Sequence, residues 1–142
     1  MGFRLKVDGD SAIEFNEDAL TEVKFLSNTP SGGNARATDI GLGVKIRGKI
    51  NFSLGAEIED FTVAMANWAL QPSDVAMAYR KAVIQVIESG QVVREYTLPN
   101  AFIVEYSEVL DDEQGVGHFY LHLRQKKDLN SKVELKGGFE LS

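Results

Sequence analysis

Cysteine is absent from the 142 residues, which excludes disulfides, thiolate zinc sites, iron–sulfur clusters and a cysteine nucleophile, and fits maturation in a reducing compartment. Proline occurs only three times while 44% of residues are hydrophobic, so the composition is that of a folded chain and not of a disordered one. An excess of cations is missing too: the formal net charge is −6, which argues against a general nucleic-acid binder. No window reaches the roughly twenty apolar residues of a membrane-spanning helix. The opening MGFRLKVDGD alternates apolar and polar from its third residue and lacks the apolar run of a signal peptide. Gly2 does not start a myristoylation pattern, because Lys6 stands where that pattern needs Ser or Thr. The expectations are synthesis in the cytoplasm, no membrane insertion, no nucleic-acid recognition, and a single domain over residues 1–142.

Against these absences stands one clear helical pattern, Gly55–Gln71, with Ile58, Phe61, Met65 and Trp68 on one stripe. Glu57, Glu59 and Asp60 fall in its first turn, where the positive end of the helix dipole favours acids, and Pro72 ends it. The stripe is a packing face, and most of the remaining chain reads as the sheet it packs on. Phe3, Leu5 and Val7 alternate with polar residues as a first strand that turns at Gly9-Asp10, and Ala12–Asn16 adds a short second one. Thr21–Leu26 reads as strand, with Val23 and Phe25 on one face. Ser27–Asp39, SNTPSGGNARATD, is a long loop; a loop of this length is either functional or merely tolerated, and the residues leave both open.

Leu42–Leu54 places Val44, Ile46, Ile50 and Phe52 on one face and Lys45, Arg47 and Lys49 on the other, so one side is buried and the other strongly basic. That basic side is either solvated or turned to an interface or lumen. Beyond Pro72, Asp74–Ala78 reads as a turn or single helical turn and Tyr79–Glu88 as a strand with apolar groups on both faces, hence covered on both. Ser89-Gly90-Gln91 turns the chain into Val92–Leu98, and Pro99-Asn100 breaks or bulges the strand before it continues over Phe102–Val109. After the acidic turn Leu110–Gly115, the strand Val116–Lys126 sets Phe119, Leu121 and Leu123 against His118, Tyr120, His122 and Arg124. A polar loop and a final strand over Lys132–Glu140 complete a mainly β chain: an antiparallel β-barrel with one flanking α-helix.

Residues suited to chemistry are scattered. His118 and His122 have the H-x-x-x-H spacing that brings two metal ligands together on a helix, but four residues of strand hold them roughly 13 Å apart. Asp111, Asp112 and Glu113 lack the spaced ligands of a calcium loop. No G-x-S-x-G, H-E-x-x-H or P-loop pattern occurs, and no serine or threonine is marked as a nucleophile. The expectation is a non-enzyme without catalytic residues, metal or cofactor.

In its order of elements the chain resembles the tube-forming proteins of contractile injection machines, the Hcp-type protein of type VI secretion and phage tail-tube subunits. The likeness is carried by the loop SNTPSGGNARATD, the strand GVKIRGKINF, the helix EIEDFTVAMANWALQ and the hairpin pair AVIQVIESGQVVREYTLPNAFIVEYSEVL. GVGHFYLHLRQKKD and VELKGGFE look especially similar to small Hcp-like proteins of Gram-positive bacteria and their prophage-like elements. The resemblance implies a homohexameric ring, stacked into a hollow tube by self-assembly. It also implies sheath and baseplate partners and release from the cell as part of an injection particle. It gives Ser27–Asp39 the task of reaching the adjacent ring, with Asn28, Thr29, Asn34, Arg36 and Asp39 as assembly-interface residues. Two rival readings are a monomeric ligand-binding β-barrel, which predicts an unfilled apolar interior, and a membrane-associated hydrolase, which predicts one indispensable Ser, His or Asp.

Overall fold

The computed structural model describes residues 1–9, 12–28, 41–51, 61–71, 78–112, 116–126, 129 and 132–137. Among the described residues eight strands and one helix follow in the order β1 (Gly2–Val7), β2 (Ile13–Phe15), β3 (Leu20–Asn28), β4 (Gly41–Asn51), α1 (Phe61–Ala69), β5 (Arg80–Glu88), β6 (Gln91–Leu110), β7 (Val116–Gln125) and β8 (Glu134–Gly137). They form one antiparallel sheet in the order β2-β1-β5-β6-β7-β4-β3, with β8 beside β6. The sheet curls enough to bring β1 and β3 within 8 Å, but no hydrogen-bonded pairing closes it into a ring of strands among the described residues.

Alternation explains which side each strand buries. Leu5 and Val7 of β1 lie opposite Ile84 and Ala82 of β5, and all four are buried. Val44 and Ile46 of β4 lie opposite Leu123 and Leu121 of β7, again all buried. Gly48 interrupts the β4 row because a Cβ there would meet the Phe119 ring at 2.4 Å and the Ala19 carbonyl oxygen at 2.8 Å. Phe119 fills that space and stacks at 5.0 Å from Phe15, which meets Phe61 edge-on at 6.1 Å. Helix α1 adds Met65 and Trp68 to the same core, and the Trp68 indole N–H donates to the Ala78 carbonyl at 2.8 Å. A buried indole needs such a partner, since an orphaned donor costs about 1–3 kcal/mol. The expected stripe is therefore confirmed at Met65 and Trp68, with Phe61 half-buried beside them; Ile58 and the acidic first turn lie outside the described residues.

The β5–β6 hairpin turns on Ser89 (φ 53°) and Gly90 (φ 76°), two left-handed residues as a two-residue type I′ turn requires. Nothing lies within 4 Å of a Cβ added at Gly90, so glycine serves there for its backbone freedom and not for space.

Strand β6 runs unbroken for 20 residues, so Pro99-Asn100 is a bulge inside one strand. Leu98 pairs with Ala82 and Ala101 with Arg80, leaving one extra residue on β6 where proline's missing N–H costs no ladder bond. Buried Gln125 fastens the bulge: its Oε1 accepts from the Asn100 N–H at 3.1 Å, and its amide donates to the Leu129 carbonyl at 3.2 Å. Two further bulges fall at Val93, opposite β5, and Val104, opposite β7. Ser27 and Asn28, expected in the loop, instead extend β3 and pair with Leu42 and Gly41.

Candidate functional site

Two features of the sheet are left over once the core is accounted for. The first is a pair of open edges on the layer β3-β4-β7-β6, besides the outer edges of the short strands β2 and β8 among the described residues. Residues 91–101 of β6 have β5 along one side, and residues 94–97 also have β8 along the other. Residues 101–110 pair with β7 on the β8 side, so along the β5 side the second half of β6 has no strand partner among the described residues. This half carries Val104, Val109 and Leu110, exposed at 46%, 66% and 60%. At the far end of the same layer, β3 pairs only with β4 among the described residues. Unpaired strand edges with apolar side chains invite another strand.

The second feature is the outward face of the layer β3-β4-β7-β6. Directly opposite residues share a face, so the register sets out rows: Lys24–Lys45–His122–Glu105, then Glu22–Arg47–Tyr120–Ser107, then Lys49–His118–Val109. Arg124 lies opposite Gly43 on the same face. The basic face expected for β4 thus extends over three strands. Arg47 lies over the Tyr120 ring at 4.8 Å. Burial holds the His122 imidazole below its ordinary 6.5, Arg124 and Lys45 push it the same way, and Glu105 partly opposes them. His118 and His122 sit on β7 as expected of a strand, opposite Lys49 and Lys45, and no group of three potential metal ligands occurs among the described residues.

Of the interface residues the resemblance implied, Asn28 ends β3 opposite Gly41; Thr29, Asn34, Arg36 and Asp39 lie outside the described residues. The sequence reading did not anticipate the open β6 edge. Its signal was Val104, Val109 and Leu110 on a strand whose Tyr106 already packs against the core. A cavity of about 30 Å³ beside Trp68, Ala78 and Phe102 has room for about one water, not for a carried ligand. No described helix is long and apolar enough to cross a membrane.

No protein-family model matches the chain, and no curated protein matches its sequence. Solved structures do match. Hcp1 from Flavobacterium johnsoniae superposes with a TM-score of 0.58 at 16% identity, covering 97% of each chain. A chain of the anti-feeding prophage baseplate gives 0.53 at 14% identity, over 96% of this chain and 93% of that one. Hcp1 from E. coli gives 0.51 at 10% identity, over 96% and 99%. The chain therefore has the Hcp-like, tail-tube-like fold that its order of elements suggested.

Proposed function

We propose that this chain is a structural, non-catalytic subunit that forms hexameric rings, stacked into the inner tube of a phage-tail-like or type VI-like contractile injection system. The observation that carries the proposal is the pair of open edges on one four-stranded layer. Strand direction alternates through β3, β4, β7 and β6, so β3 and β6 run oppositely. The β3 edge of one copy can then take the second half of β6 from the next copy as an antiparallel neighbour. Repeated about a rotation axis, that head-to-tail contact would pair both open edges of this layer and cover Val104, Val109 and Leu110. The shared fold with Hcp1 and with a chain of an injection-particle baseplate supports the reading. Asn28, Thr29, Asn34, Arg36 and Asp39 would serve ring-to-ring contact where the chain leaves β3, with sheath and baseplate proteins as further partners and release within the particle.

Light scattering on a sizing column tests this across protein concentration. The expected species is six copies of the 15.7 kDa chain, or a larger one that grows with concentration and shows tubes by electron microscopy. Val109→Lys should reduce it to a monomer that still unfolds cooperatively, because a lysine on a strand edge resists pairing. A monomer at every concentration, or rings indifferent to Val109→Lys, would overturn edge pairing as the closing contact.

A further inference from the structure

We propose that the outward face of β3, β4 and β7 is a docking surface for an acidic polypeptide, held in extended form across Lys24, Lys45, Arg47, Lys49 and Arg124. The chain as a whole is acidic, with 21 Asp and Glu against 15 Lys and Arg, yet among the described residues of these paired strands the five cations share one face with only Glu22 and Glu105. Three cations elsewhere in the sheet meet carboxylates: Arg4 meets Glu17 at 3.2 Å, Lys6 meets Glu14 at 3.8 Å across β1 and β2, and Lys136 meets Glu134 at 3.9 Å. On the outward face none of the five makes a salt bridge with a described residue. Instead Lys24 lies directly opposite Lys45, and His122 flanks Lys45 on its other side. Like charges directly across a strand pair are destabilising, and an external anion relieves that repulsion.

The chemistry of the face selects a polypeptide over a nucleic acid. Single-stranded nucleic acid binds by stacking bases on open aromatic planes. Here Tyr120 is covered by Arg47 at 4.8 Å and Phe102 is met edge-on by Tyr79 at 5.8 Å. Lys45, Arg47 and Lys49 repeat about every 7 Å along β4, the spacing at which an extended acidic chain presents alternate carboxylates. In a ring closed through β3 and β6 the face would form one continuous wall; that continuity rests on the proposed assembly, whereas binding by one copy does not.

The experiment is fluorescence anisotropy of labelled poly-L-glutamate titrated with the full chain at low ionic strength, with light scattering on the same samples. Saturable binding is expected, weakening as salt rises, and falling about tenfold or more in Lys45→Glu/Lys49→Glu while Lys81→Glu leaves it unchanged. The neutral pair Lys45→Gln/Lys49→Gln repeats the measurement with a milder change, and both pairs are checked by thermal unfolding. Binding by a monomer would sustain the surface while removing the ring; rings without binding would sustain the ring and overturn the surface. Binding indifferent to both pairs, or tighter binding of an oligothymidine, would also overturn it.

Discussion

The two halves of β6 are one strand under two regimes. The first half has β5 on one side, β8 beside part of the other, and fully buried Leu98 on its inner face. The second half has β7 as its strand partner among the described residues and carries Val104, Val109 and Leu110 in the open. A strand flanked on both sides spends its hydrogen-bonding groups inside the subunit, and a strand flanked on one side holds a row of them in reserve. The same backbone thus belongs to the fold at one end and is available for association at the other.

The largest effect should come from opening the contrast at its buried end. Leu98→Ala should cost about 2–5 kcal/mol in urea unfolding, while Val109→Ala in the other half should stay within about 0.5 kcal/mol. Equal costs would mean that the second half is as integrated into the subunit as the first. Next comes the joint between the halves. Gln125→Leu removes the acceptor of the Asn100 N–H and the donor to Leu129, and should cost about 1–3 kcal/mol by the same unfolding measurement. A neutral result would mean that the bulge holds without its glutamine. The smallest effect is one of pH. His122 faces Lys45 of β4, Glu105 of β6 and Arg124 of its own strand, and its folded-state pKa lies below 6.5. The unfolded chain therefore binds the proton first, so stability should fall as pH drops from 6.5 through the lower folded value. His122→Asn should flatten that part of the stability profile; an unchanged slope would assign the acid sensitivity to other groups.

Much of this fold is legible in the sequence wherever one face of a strand is buried and the other is not. Leu42–Leu54 and Val116–Lys126 alternate because Ile46 and Leu121 meet inside while Arg47 and Tyr120 meet outside, and the strands are found over Gly41–Asn51 and Val116–Gln125. The helix was visible at Met65 and Trp68 for the same reason. The sequence left Pro99-Asn100 open between a break and a bulge, because the side chain that fastens the bulge arrives from Gln125 on another strand. The open edge was not visible, since hydropathy reports whether a side chain is apolar but not whether its strand has a second neighbour. Of the implied interface residues only Asn28 lies in a described strand, so the rest of that set remains a proposal about stacking.

The order of strands also bears on how the chain reaches this state. β5, β6 and β7 form a meander from contacts between successive strands, whereas β1 joins β5 by pairing Gly2 with Ile87, and β4 joins β7 across the whole middle of the chain. Closing long loops costs entropy before any contact repays it, so the non-local pairings set the pace of folding. The meander contains the open β6 edge, and the layer's other open edge, on β3, comes into place only when β4 docks on β7. In the proposed ring, a newly made chain would therefore offer the β6 half of its joining surface before the β3 half.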